Sequence, residues 1–188
     1  MAPFEYLLIF AAVILGLAVC ELAIGLNRLL ADWRRIKWDW LAPLAALLCF
    51  LKIVIQWWVW HAAVPLAAGI SFEMYLAVLA SAALLFMLAA AVFPGTAGDG
   101  GADLRAHYEI VRRRYWTLFT LHFLAAAGIS AWLQMRVEGA SFTFLSPVYL
   151  IAPVGLSLIF IRNLWWHTAA LVGLCLLYFL AYFGSALA

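Results

Sequence analysis

Apolar residues run along this chain in long blocks separated by short polar segments, and the lengths of those blocks set the element type. From Trp40 to Trp60 the only strongly polar side chains are Lys52 and Gln56. A helix over this stretch is about 31 Å long, the thickness of a bilayer core. Comparable blocks cover residues 4–30, 72–93 and 115–135. Beyond them, residues 142–188 would form a helix of roughly 70 Å, too long for one span, so a turn is expected at Arg162-Asn163. That divides the stretch into a fifth span over 142–161 and a sixth over 164–182. The pattern predicts an all-α, polytopic integral membrane protein: a single six-span domain over 1–188, its transmembrane helices in a compact bundle.

Positions within the blocks indicate which faces turn inward. Lys52 and Gln56 are four residues apart and share a helical face, flanked by Cys49, Val59 and Trp60, so this stripe of span two faces protein or water. Pro43 is tolerated in the first turn of that helix, and Pro65 ends or kinks it. In span one, Ala12, Gly16 and Cys20 form a small-xxx-small ridge suited to close helix contact, and Gly25 leaves a gap one turn after Glu21. Ala77, Ser81 and Leu85 share a face of the alanine-rich span three, the best candidate for the bundle interior. Pro147 and Pro153 interrupt span five; Pro153 with Gly155 reads as a kink or as a broken, re-entrant helix.

Composition narrows the class further. With 69% hydrophobic and 11% charged residues, the chain is excluded from soluble globular domains, in which about a quarter of residues are charged. Its aromatics fit two interfacial belts. Met1 to Glu5 carries no basic segment, and no small-residue cleavage pattern follows, so the first span is expected to be retained as a transmembrane helix. Cys20, Cys49 and Cys175 lie in apolar runs without a CxxC pair and read as small buried hydrophobes.

Charge sets the orientation. Alternating six spans puts Arg28, Arg34, Arg35, Lys37, Arg105, Arg112, Arg113, Arg114 and Arg162 on one face, against Arg136 alone on the other. The positive-inside rule makes the basic face cytoplasmic, with both termini on the non-cytoplasmic side of the cell (inner) membrane. Acidic lipid headgroups are the expected partners of the basic loops, and no nucleic-acid partner is expected. The loop over 95–103 reads as flexible, with no phosphate-binding pattern.

The candidate chemistry is the set of polar side chains inside the spans. At about 1.5 Å per residue, Glu21 lies about 10 Å from the cytoplasmic edge, His122 about 12 Å, His167 about 7 Å and Lys52 about 18 Å. Glu21, Lys52, Gln56, His122, Asn163 and His167 are therefore the candidate substrate or ion path, with Glu21–Lys52 as the expected ion pair and Asn27, Arg28, Arg162 and Asn163 at its mouth. The same pair also reads as a structural device that fixes helix register, and His122 as a satisfied buried histidine. No catalytic nucleophile and no metal-ligand motif such as HExxH is present.

Three function classes follow. A small transporter or channel, as a homo-oligomer and needing no cofactor, uses the intramembrane charge directly. A haem- or quinone-linked or lipid-modifying enzyme is the second class: His122 and His167, two imidazoles at similar depth, would hold haem, whereas lipid chemistry without haem would need His122 or Glu21 as a base. A structural or accessory membrane protein would use the polar residues to specify helix contacts.

Overall fold

In a computed structural model of the chain, residues 3–63, 71–95, 101–135 and 151–183 are described. The first helix, α1 (Pro3–Ala31), buries Leu8, Leu15, Leu22 and Leu29, a leucine every seven residues, with Ala11, Ala18 and Gly25 between them. Such a seam keeps one helix against another along its whole length. It packs chiefly on α3 (Phe72–Val92), which buries Met74, Val78, Ser81, Leu85, Leu88 and Val92 at alternating spacings of four and three. The gap at Gly25 is filled by Phe93: a Cβ placed there would lie 2.7 Å from the Phe93 ring. The ridge expected to make this contact does not, since Gly16 and Cys20 are exposed and nothing approaches Gly16 within 4 Å. The leucines bury more apolar surface than the small residues could, and they decide which face turns in.

The remaining helices are α2 (Leu41–Ala62), α4 (Leu104–Met135), α5 (Ile151–Phe160) and α6 (Leu164–Phe183), with a 3-10 turn at Trp33–Arg35. Around the bundle the packed neighbours run α1, α3, α4, α5, α6, α2 and back to α1, while α2 also reaches α3 and α4 across the middle. Helix α3 packs with α1 on one side and α4 on the other, but Leu76, Ala80, Ala83, Phe86, Met87 and Ala90 leave one of its faces exposed, so it is not the interior helix that its alanine content suggested. Among the described residues, five helices are long and apolar enough to cross a membrane; α5 is shorter, with ten described residues. The chain is thus a helical membrane bundle of about six helices. Exposed Trp33, Trp40 and Trp165 lie at one end, and exposed Trp58 and Phe72 at the other, as two interfacial belts require.

One boundary differs from expectation. Helix α4 begins at Leu104, well before residue 115, because Asp103 caps it: its Oδ1 accepts the Ala106 amide at 3.0 Å. That bond is the main reason the Asp103 carboxyl is held below its ordinary range. The resulting helix is about 48 Å long, so its charged first turns project beyond a bilayer core of about 30 Å. Pro153 lies within the described part of α5 and is exposed, facing away from the bundle. The rest of the expected fifth span, with Pro147, lies outside the described residues, as does Pro65.

The basic loops meet at one end of the bundle. The Lys37 amide donates to the Ala102 carbonyl at 2.9 Å, and the Leu104 amide to the Lys37 carbonyl at 3.1 Å. The Lys37 ammonium lies 3.7 Å from the Asp103 carboxylate. Gly101 has φ +83°, and a side chain there would collide with the Arg35 carbonyl oxygen, so this part of the 95–103 loop is docked and requires glycine. Arg28 ties α1 to the end of α3 through the Gly95 carbonyl at 3.0 Å.

The α1–α3 seam predicts the effect of filling the gap. Gly25→Val should lower stability by about 1–3 kcal/mol through overpacking against Phe93. Phe93→Ala in the same chain should recover part of the loss, as measured by thermal unfolding in detergent. Equal and additive losses from the two changes would show that they are not in contact.

Candidate functional site

Lys52 stands eleven residues into α2 from its basic end, and Ser81 stands eleven residues into α3 from the same end, so the two lie at one level near the membrane midplane. His122 on α4 joins them. Its Nδ1 is 3.1 Å from the Ser81 hydroxyl and 3.1 Å from the Ser81 carbonyl oxygen. Its Nε2 is buried with no hydrogen-bond partner among the described residues. Lys52 reaches the same part of α4, its ammonium lying against the ring of Phe123, the residue after His122. Gln56 continues the polar stripe one turn further along α2. Lys52 is 6% exposed, Gln56 3%, and Ser81 and His122 not at all, so this centre is closed to solvent.

Lys52 has no carboxylate within ion-pair distance among the described residues, whose only ion pairs are Lys37–Asp103 and Arg105–Glu109. Its ammonium lies instead 5.4 Å from the centre of the Tyr178 ring on α6 and 5.9 Å from that of Phe123 on α4. A desolvated cation over an aromatic face gains about 2 kcal/mol, while burying the ion costs several kcal/mol. The two rings therefore offset only part of the cost. The expected Glu21–Lys52 pair is not made: Glu21 is half-buried on α1 and belongs to neither polar cluster. Its helix is held by the leucine seam, and that seam determines where Glu21 points.

A second buried polar cluster lies at the basic end. His167, near the start of α6, has its Nε2 2.9 Å from the Ile161 carbonyl oxygen, so Nε2 carries the proton and donates. Its Nδ1 then accepts, from the Tyr108 hydroxyl at 2.9 Å and from the Trp116 indole N–H at 3.2 Å. The same indole also donates to the Tyr108 oxygen at 3.0 Å. Arg112 donates to the Ile161 carbonyl at 3.0 Å. Helix α5 ends at this carbonyl, and two side chains satisfy it. Asn163 is exposed and caps α6, its Oδ1 accepting the Trp165 amide at 3.0 Å.

The six expected site residues therefore separate. Lys52, Gln56 and His122 are all buried in the middle of the bundle, His167 lies in the satisfied cluster at the basic end, Asn163 is a surface cap, and Glu21 stands apart. The two-histidine haem site does not fit this arrangement, since both nitrogens of His167 are engaged in buried hydrogen bonds and His122 belongs to the other cluster. Sequence reasoning did not single out Tyr178, Phe123, Tyr108 or Trp116 for the site. The signal for the basic-end cluster was legible: Tyr108, Arg112 and Trp116 recur every four residues, which is one stripe of a helix. Reading Arg112 as part of a basic anchor hid it, although Arg112 is buried while Arg113 and Arg114 are exposed.

Because Lys52 has no carboxylate partner, removing it leaves no orphaned charge. Lys52→Met and Glu21→Gln should each change stability by less than about 1 kcal/mol, with any change at Lys52 in the stabilising direction. A loss of about 3–5 kcal/mol in chemical unfolding of Lys52→Met is the signature of a broken buried ion pair and would overturn the assignment.

No protein-family model matches the chain, and no curated protein or solved structure is significantly similar to it, so every role assigned to these residues rests on their own geometry.

Proposed function

We propose that the protein is a membrane transporter or channel that moves an ion or small polar solute through the centre formed by Lys52, Gln56, Ser81 and His122. The observation that carries this reading is the burial of four polar side chains from three helices at the membrane midplane, including a lysine without a carboxylate. Intramembrane ionisable groups are expensive to bury and mark pathways for ions and substrates. A purely structural centre would satisfy its own donors and acceptors, as the His167 cluster does. The midplane centre leaves a histidine nitrogen unused.

Orientation follows the basic end of the bundle, which faces the cytoplasm under the positive-inside rule. In intact cells, an impermeant thiol reagent should label a cysteine at Gly139 and leave one at Gly98 unlabelled, both placed in a cysteine-free background. The reverse pattern inverts the protein.

Flux is the direct test. In proteoliposomes screened with potassium, proton and chloride gradients, the wild-type chain should dissipate at least one gradient, and folded Lys52→Met should do so at least tenfold more slowly. That factor corresponds to about 1.4 kcal/mol of lost stabilisation along the path. Wild-type flux in folded Lys52→Met, or no flux of any ion in the wild type, removes the reading in favour of a structural role.

A further inference from the structure

Where α2 and α6 begin, side by side, the basic end of the bundle holds a pocket of about 270 Å³. Asp39 and Trp40, just before α2, line it together with Trp165 and Thr168 of α6 and Arg105 in the first turn of α4. Its volume falls below the roughly 300–1,000 Å³ of sites for drug-sized ligands, so it admits a small polar group. Trp40 is 80% and Trp165 83% exposed, and exposed tryptophans at a helix end sit at the level of the lipid headgroups.

The pocket carries opposite charges on separate walls. Asp39 is half-buried, and its Oδ1 accepts the Leu41 amide at 2.9 Å, which fixes the carboxylate and leaves it most of its acceptor capacity. No cation lies within ion-pair distance of it among the described residues. The Nε of Arg105 is 3.6 Å from the Glu109 carboxylate, an exposed contact of little energy, and the guanidinium retains further N–H donors. Asp39 and Arg105 do not pair with each other, although both line this one small pocket. Opposite charges held apart across so short a span complement a zwitterion, whereas a simple cation or anion satisfies one wall and opposes the other.

We infer that this pocket binds the headgroup of a zwitterionic phospholipid with a primary ammonium, phosphatidylethanolamine in chemical type, from the leaflet at the basic end. The Arg105 guanidinium holds the phosphate and the Asp39 carboxylate the ammonium, each through charge-assisted hydrogen bonds. The Trp40 and Trp165 indoles flank the headgroup, apolar on one side and wet on the other. An acidic headgroup, which suits the arginine-rich loops, brings no cation to Asp39. A choline headgroup brings a quaternary ammonium with no N–H to donate. The occupant is a membrane lipid, and not a soluble phosphoamine, because the tryptophans set the pocket among the headgroups. This site is separate from the midplane centre and stands whether or not the protein transports anything.

Lipid displacement tests the site. Full-length protein in neutral detergent is loaded with phosphatidylethanolamine carrying deuterated acyl chains, and native mass spectrometry follows its displacement by unlabelled lipids with the same chains. Unlabelled phosphatidylethanolamine should displace it about tenfold more effectively than phosphatidylcholine or phosphatidylglycerol, the factor expected from one charge-assisted hydrogen bond. Asp39→Asn, which keeps the oxygen that caps Leu41, should abolish the preference over phosphatidylcholine. Arg105→Gln should weaken phosphatidylethanolamine and phosphatidylcholine alike, while Arg113→Gln, at an exposed arginine outside the pocket, should change neither. Equal displacement by all three lipids, an ethanolamine preference that survives Asp39→Asn, or binding indifferent to Arg105→Gln overturns the site. Displacement by O-phosphoethanolamine at the same concentration as the lipid would assign the pocket to a free solute and overturn the lipid as its occupant.

Discussion

A polar group surrounded by hydrocarbon has only the rest of its chain to bond to, and this constraint shapes the bundle from its basic end to its midplane. In the His167 cluster at the basic end it is met. The Ile161 carbonyl, left open where α5 stops, accepts from both Arg112 and His167, and the other nitrogen of His167 accepts from Tyr108 and Trp116. Five residues, from α4, α6 and the turn after α5, thereby close one another's hydrogen bonds. The arrangement fixes the turn between α5 and α6 against the extended start of α4.

At the midplane the same constraint is met only in part. Ser81 and His122 bind α3 to α4, but the second nitrogen of His122 is left over, and Lys52 relies on aromatic faces that offset a fraction of its burial cost. The contrast between the two clusters bears on function because both sit in one chain under one solvent constraint. A polar group that is buried and incompletely satisfied is retained at a cost, and the usual reason is a ligand that completes it.

Apolar packing supplies the frame in which these groups are held. The leucine repeat of α1 runs along α3, and the four-three stripe of α3 puts Ser81 in the buried interior, where it meets His122 on α4. Glu21 is excluded from that interior by the same seam. Its neighbours Ala18, Leu22 and Gly25 turn inward and leave the carboxylate on the flank of the helix. A charge in the membrane is thus placed by the burial of its neighbours before it is placed by attraction to a partner.

Much of the architecture was present in one dimension. Block lengths and the break at Arg162-Asn163 marked the described helices, because bilayer thickness and helical rise leave few alternatives for long apolar runs. The inward stripe of α2 through Cys49, Lys52, Gln56 and Trp60 was likewise readable from spacing alone. The leucine repeat of α1 and the Tyr108–Arg112–Trp116 stripe were legible as well, but small-residue spacing and a run of arginines suggested competing faces. Partnership was decided only by tertiary structure. Periodicity states which residues share a face and roughly how deep they lie, yet the rotation of each helix about its own axis depends on which neighbour it packs against. That rotation separated Glu21 from Lys52, divided His122 from His167, and set a lysine between two rings.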